Sequence, residues 1–272
     1  MKANNSYWIK DWIKDLQKQG RITFSRKEVE DRFPTLTEPA MRNALNRLVN
    51  KGEIVSVWKG FYVIVPLKYA SRKIVPPILY IDDLMKYLNR PYYVGLLNAA
   101  AFYGAAHQQP QDFCVISTPP TLRDTTKKGI RINFASRKEI PTSLLQSFKT
   151  ETGYVQVSSP ELTAADLITY QKVVGGLNRT STVLNELSES LHIDFLNEIF
   201  FENVPVSTVQ RLGFLLEHVL DQTELTNELL AKAKENGCTF QKIPLKNGNQ
   251  TKGCDLDSKW KIIINEEIEI DE

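Results

Sequence analysis

Cysteine is scarce in these 272 residues. Cys114, Cys238 and Cys254 are odd in number, far apart and never in a CxxC spacing, which argues against a disulfide framework and a zinc site. Each reads as a small apolar residue, buried or half-buried. Histidine is equally sparse: His107, His192 and His218 show no HxxxH or HExxH spacing and no evident nucleophile partner. His107 lies in Gly104-Ala105-Ala106-His107-Gln108-Gln109-Pro110-Gln111, a polar exit from an apolar stretch, and reads as a cap or an interaction surface.

Phosphate and metal motifs are missing as well. Gly175-Gly176-Leu177-Asn178-Arg179-Thr180-Ser181 lacks the lysine and the spacing of a P-loop and reads as a helix break. Cys254-Asp255-Leu256-Asp257 sets two carboxylates at alternate positions without the Gly-Ser element that precedes such a metal-binding pair. No apolar run approaches the roughly 18–20 residues of a membrane span. The chain opens on a charged amphipathic helix rather than a signal peptide, so a cytoplasmic protein is expected. No repeat or low-complexity segment occurs. The expectation is a protein that is not an enzyme, with no catalytic set, no metal and no cofactor.

What is present is a charge asymmetry. The length suffices for two domains, and 42% hydrophobic with 24% charged residues is ordinary for a globular protein. The net charge of +2 conceals residues 1–75, which hold 15 Lys and Arg against 7 Asp and Glu, while the remainder holds 19 against 25. A basic first quarter on a mildly acidic body fits a nucleic-acid-binding head on a separate domain. A basic head docked on its own acidic body is the alternative.

Within that quarter, residues 6–19 read as a helix with Trp8, Ile9, Trp12, Ile13 and Leu16 on one face, the two tryptophans serving as core anchors. Ser25-Arg26-Lys27-Glu28 is a capping box for a second helix that stops before Pro34. Thr37 to Gly52 reads as a third helix, with Thr37 as cap, Pro39 in the first turn and Gly52 closing it. Met41, Ala44, Leu45, Leu48 and Val49 share one face. The other carries Asn43, Asn46, Arg47 and Asn50, with Arg42 and Lys51 on its flanks. Asn and Arg make bidentate bonds to adenine and guanine edges, so these four are the candidate base contacts. Residues 53–58 and 61–65 form a hairpin across Lys59-Gly60. Helix, helix, turn, helix and hairpin is the order of a winged helix-turn-helix, an order also used by heads that bind proteins or merely dimerise. Lys59 at the wing tip, Arg42, Lys51, Lys27 and Arg26 are the candidate phosphate contacts. Trp58, Phe61 and Tyr62 are expected to pack the wing onto the head.

Residues 66–77 read as a linker, which places a head at 1–75 and a body at 78–272. A short helix over 81–89 precedes a small-residue-rich apolar helix over 92–106, expected to be the body's central buried helix. Strands are expected at 112–117, 130–135 and 153–158, with a loop over 118–129. Helices follow from Ser159-Pro160 to about residue 236, and strand patterns return at 239–245 and 259–270. The fold class is α+β, a winged helix-turn-helix domain followed by a larger mixed α/β domain with a small sheet and a helical subdomain. Arg123, Lys127, Lys128, Arg131, Arg137 and Lys138 form a second basic cluster opposed only by Asp124 and Glu139. It is either a solvated loop and strand edge or a further phosphate-contacting surface, to which Arg123, Lys127 and Lys128 are assigned.

Three blocks then resemble the AbiEi family, the antitoxin-regulators of type IV toxin–antitoxin (abortive infection) systems. They are Ala40-Met41-Arg42-Asn43-Ala44-Leu45-Asn46-Arg47-Leu48-Val49 with Lys51-Gly52 and Gly60-Phe61-Tyr62-Val63-Ile64; Tyr92-Tyr93-Val94-Gly95-Leu96-Leu97 with Ala99-Ala100 and Gly104 to Gln111; and Val157-Ser158-Ser159-Pro160-Glu161-Leu162-Thr163-Ala164-Ala165-Asp166-Leu167-Ile168. The first is shared by many winged helices, whereas the second and third in this order are more specific. The resemblance implies a head that represses its own operon by binding inverted repeats in the promoter. It implies a body opposing a nucleotidyltransferase-like toxin encoded alongside, with or without a stable complex. It also implies that basic residues of the body help to hold the operator. The partners expected are therefore double-stranded operator DNA and that toxin, with no membrane, and the protein would associate with the nucleoid when bound. Monomer and homodimer both remain open, because no heptad pattern decides between them. A protein-interaction module, or an enzyme active in the C-terminal domain, is the alternative class.

Overall fold

Helix α1 (Asn5–Lys18) forms because Ile9, Ile13 and Leu16 recur every three or four residues, and all three are buried. The structure, a computed structural model, describes residues 5–105 and 110–270, with side chains from residue 8 onward. The reading of His107-Gln108-Gln109 therefore falls outside the described residues. The two tryptophans of α1 part company. Trp12 packs edge-on against Phe24 at 5.3 Å and Phe33 at 6.1 Å, whereas Trp8 is 50% exposed and is not a core anchor.

Strand β1 (Thr23–Ser25) leads into α2 (Arg26–Arg32) through the capping box. The Ser25 hydroxyl accepts from Glu28 N at 3.1 Å, and Ser25 N donates to Glu28 Oε2 at 2.7 Å. Helix α3 (Glu38–Lys51) has Thr37 as its cap residue, but the Thr37 side chain makes no capping bond. Its end is closed by Gly52 at φ 73°, whose N–H returns to Leu48 O and Val49 O. Strands β2 (Ile54–Trp58) and β3 (Phe61–Ile64) pair antiparallel across Lys59-Gly60, and β1 adds to the far edge of β3, giving the order β1-β3-β2. Only Gly60 of the turn has positive φ, at 76°, and the register shifts between Ser56 and Trp58. That bulge takes up the twist that a turn positive at both residues would otherwise supply. Ile9, Ile13, Leu16, Phe24, Val29, Met41, Ala44, Leu45, Leu48, Ile54 and Ile64 close into one core.

Packing divides the chain into two units. One comprises Met1–Tyr93, Gln111–Ile140 and Ser147–Gln156; the other comprises Val94–Pro110, Pro141–Gln146 and Val157–Glu272. The stretch read as a linker lies wholly in the first unit, with Val75 and Pro77 buried. There follow α4 (Ile81–Tyr87), β4 (Tyr92–Val94) and α5 (Leu96–Phe102). The expected helix over 92–106 is thus a strand and a shorter helix. Tyr92, Tyr93 and Val94 favour a pleated, buried strand, and the bend at Gly95 with Leu96 at φ 58° separates it from α5.

Strands β5 (Asp112–Ser117), β6 (Thr125–Lys127), β7 (Ile130–Ser136), β8 (Leu145–Thr150) and β9 (Gly153–Ser158) complete a six-stranded mixed sheet with β4, in the order β6-β7-β5-β4-β9-β8. β5 runs parallel to β7, and β6 antiparallel to it, so part of the expected loop over 118–129 is a strand. The sheet is larger than expected, because β6 and β8 are polar edge strands with little apolar alternation to announce them.

In the second unit, α6 (Pro160–Thr169) starts at Ser159, whose hydroxyl accepts from Leu162 N at 3.3 Å. Every residue from Pro160 to Ile168 is buried, so α6, and not α5, is the central helix. α7 (Gln171–Val174) and α8 (Leu177–Leu187) follow, separated by Gly175 and Gly176 at φ 112° and 104°, the expected helix break. α9 (Glu198–Asn203), α10 (Val206–His218) and α11 (Thr223–Glu235) complete the helices, and the terminal strand patterns shrink to a parallel pair, β10 (Ile243–Pro244) with β11 (Ile262–Ile263).

Helix α10 anchors this last segment. Gln210 Nε2 donates to Trp260 O at 2.7 Å, Glu217 Oε2 accepts from Trp260 Nε1 at 2.6 Å, and the Trp260 ring lies over Gly213. A Cβ at Gly213 would meet that ring at 2.2 Å. Gly213→Ala is therefore expected to destabilise the protein by about 1–3 kcal/mol despite the better helix propensity of alanine, read as a lower denaturation midpoint in urea.

Candidate nucleic-acid interface

One face of α3 is spent on the core: Met41, Ala44, Leu45 and Leu48 are buried. Its geometry then forces Arg42, Asn43, Asn46, Arg47, Asn50 and Lys51 outward, and all six are exposed. Arg47 Nε donates to Asn43 O at 3.3 Å, one turn back. The four candidate base-reading side chains therefore share one open surface.

Around that helix the predicted cations divide. Lys27 and Lys59 are exposed, and Lys59 sits at the tip of the β2–β3 hairpin. The turn beneath it is held firmly: Arg26 N donates to Gly60 O at 2.7 Å, Tyr87 Oη donates to Lys59 O at 3.1 Å, and the Tyr87 ring lies 5.3 Å from that of Phe61. Arg26 is half-buried and already engaged. Its guanidinium pairs with Glu30 at 2.8 Å and Glu38 at 3.0 Å, hydrogen bonds that push its pKa up. Of the hairpin aromatics, Phe61 is buried and Tyr62 stacks on Phe24 at 5.3 Å. Trp58 instead meets Phe134 of β7 at 6.0 Å.

That contact brings the second basic cluster next to the first, within the same unit. Thr125 Oγ1 donates to Val57 O at 3.4 Å, so β6 lies along β2. Lys127, and Lys128 with φ 52°, turn the β6–β7 hairpin, and both are exposed. They line one small cavity with Lys73, Val55, Val57 and Tyr80. Lys73 in turn lies over Gly52, where an added Cβ would fall 2.4 Å from its Cδ. Lys51, Lys73, Lys127 and Lys128 thus follow one another from the end of α3. Arg123 is exposed on the approach to β6, while Arg131 is ion-paired with Asp112 and Asp124 at 3.7 Å each. Lys73 escaped the sequence reading, since nothing within residues 66–77 tells a packed lysine from one on a linker.

Asp257 accepts from Trp260 N and from His218, so this carboxylate is engaged within the fold. Among the described residues no group of three or more His, Cys, Asp or Glu side chains is arranged to hold a metal, and no helix is long and apolar enough to cross a membrane.

The fold has a solved counterpart. The RV2827C protein from Mycobacterium tuberculosis superposes with a TM-score of 0.67 at 15% identity, covering 94% of this chain and 91% of that one. An antigenic nucleotidyltransferase-like protein from Paracoccidioides brasiliensis gives a TM-score of 0.37 at 12% identity over 57% of this chain and 91% of that one, a level from which no shared fold follows. No curated protein matches the sequence. The class is thus an α+β fold shared with the mycobacterial protein over nearly the whole chain. Residues 93–218 match the model of the AbiEi antitoxin C-terminal domain, so this segment is similar to that domain of the AbiEi antitoxins.

The α2 cap sets a stability test for this surface. Burial pushes the Glu28 carboxyl up, but hydrogen bonds from Arg21 and from Ser25 outweigh it and hold its pKa below the ordinary value. A lowered folded pKa stabilises above the unfolded carboxylate range, and that contribution is lost as pH falls through the folded value. Glu28→Gln, which keeps a capping side chain, is expected to be less stable than wild type at pH 7 and to close the gap at pH 3, read by urea denaturation at both pH values.

Proposed function

We propose that this protein is an antitoxin of the AbiEi family and a DNA-binding autorepressor, a cytoplasmic non-enzymatic regulator that joins the nucleoid when bound. Residues 1–75 form a winged helix-turn-helix and residues 78–272 the antitoxin and regulatory domain. The order α1, α2, α3 and the β2–β3 hairpin, with β1 on the hairpin's far edge, supports the first assignment. The observation that carries the reading is the open Asn and Arg face of α3, flanked by exposed cations at both ends of the helix. In this reading Asn43, Asn46, Arg47 and Asn50 meet base edges in the major groove. Arg42, Lys51, Lys59 and Lys27 meet phosphates, and Lys73, Lys127, Lys128 and Arg123 lengthen the footprint beyond the head. The match of residues 93–218 to the antitoxin domain supports a toxin as functional partner, and the nucleotidyltransferase-like class of that toxin follows from the resemblance of the three sequence blocks.

Gel-shift titration with the promoter of the chain's own operon tests the DNA arm. Asn46→Ala with Arg47→Ala is expected to lose about 1–3 kcal/mol per base contact and to blur sequence preference. Lys59→Ala is expected to weaken all duplexes alike and to lower the log–log salt slope by about 0.9. Equal operator binding by the double variant and wild type would overturn the recognition face.

The antitoxin arm is tested in the full chain. Cells expressing the adjacent toxin are expected to survive with the double variant as well as with wild type, since the substituted side chains lie outside the segment that matches the antitoxin domain. Loss of protection by the folded double variant would contradict that division of labour.

A further inference from the structure

We infer that Arg26 is a positioning residue: its guanidinium ties α2 to the first turn of α3, beside a hairpin turn held by its backbone N–H, and it does not meet phosphate. The inference rests on the DNA-binding reading above and concerns how that surface keeps its register.

Three elements converge on this one residue. Its Nε bonds Glu30 Oε1 at 2.8 Å within α2, and its terminal nitrogen pairs with Glu38 Oε1 at 3.0 Å on the first residue of α3. Its backbone N–H donates to Gly60 O at 2.7 Å in the turn that carries Lys59. One guanidinium between two carboxylates leaves the trio with a net charge of −1. A phosphate approaching it meets net repulsion unless both bonds are given up. Among the described residues, neighbouring Lys27 and Arg42 are exposed and make no ion pair.

The start of α3 needs such a tie. Thr37 occupies the cap position without a side-chain bond, so the usual anchor of a first turn is missing. Burial of Met41, Ala44, Leu45 and Leu48 sets the rotation of α3 from Met41 onward, whereas Thr37, Glu38 and Pro39 ahead of it are exposed. Base reading tolerates displacements of only about 0.5 Å and tilts of roughly 10–20°. Arginine suits the task because its planar fork presents separate edges to two partners, whereas a lysine ammonium offers a single compact charge.

The test compares Arg26→Ala, Arg26→Lys and Glu30→Gln/Glu38→Gln in the full chain, against operator and scrambled duplex over a salt series. Removing the two carboxylates strips negative charge from the surface, so a direct phosphate role for Arg26 predicts tighter binding to both duplexes. Positioning predicts that scrambled DNA is bound at least as well while preference for the operator falls about tenfold, the worth of one misplaced base contact. It predicts that Arg26→Lys fails to restore preference, and that Arg26→Ala keeps the wild-type salt slope while Lys59→Ala lowers it by about 0.9. Without DNA, amide exchange at Met41, whose N–H bonds Thr37 O at 3.0 Å, is expected to quicken in Arg26→Ala with the rest of the head unchanged. Full rescue by lysine, a slope lowered by about 0.9 in Arg26→Ala, or unchanged exchange at Met41 would overturn the inference. A wild-type protein that does not prefer its operator would defeat the DNA-binding reading itself, a result separable from any difference among these variants.

Discussion

Burial of one face of α3 is the constraint on which the rest of the head depends. Met41, Ala44, Leu45 and Leu48 each gain about 1 to 3 kcal/mol by leaving water, alanine at the low end. A rotation of one residue about the helix axis would forfeit much of that sum and drive Asn43 or Arg42 into an apolar core. No surface hydrogen bond competes with a penalty of that size. The polar face is therefore aimed from behind, by apolar contacts with α1 and the sheet.

The same logic explains why the cations are tolerated as neighbours. Lysines that share one cavity wall, as Lys73, Lys127 and Lys128 do, repel one another by an amount that solvent and salt keep small. Their long apolar stems contribute packing, as that of Lys73 does over Gly52. A cost paid in the free protein is returned when a polyanion neutralises the group. Arg26 and Arg131, by contrast, are satisfied by carboxylates already, and each is accordingly tied to local structure.

Much of the head was legible because its signals are local. The capping box at Ser25 and Glu28, the 3.6-residue spacing of α3 and the Lys59-Gly60 turn each depend on residues a few positions apart. Trp8 misled because periodicity reports which side a residue is on and not how far the core extends. Tyr92 to Val94 misled because a fully buried strand shows no alternation and joins its helix without a polar break. The pairing of β5 with β7 and the packing of β6 along β2 are long-range facts that leave no mark on either segment. That is why the second basic cluster was legible as a charge run while its position beside the head was not.

The third family-bearing block sharpens the distinction between what identifies a protein and what acts. Residues 157–168 run from the end of β9 into α6, and all of them are buried, Glu161 and Asp166 included. Their polar groups are consumed internally: Glu161 Oε1 accepts from His192 N at 3.1 Å, the Ser158 and Thr163 hydroxyls share a bond at 2.6 Å, and Tyr103 Oη donates to Ser158 O at 2.7 Å. Burial, with Glu161 nearby, pushes the Tyr103 phenol well above its ordinary range, so it serves as a donor and not as an acid. A carboxylate and hydroxyls satisfied in this way specify how residues 157–159, α5 and α6 assemble in the second unit. Such a block marks the family through its interior. Any surface that the matched segment offers to a partner lies on side chains outside this block, since residues 157–168 are all buried.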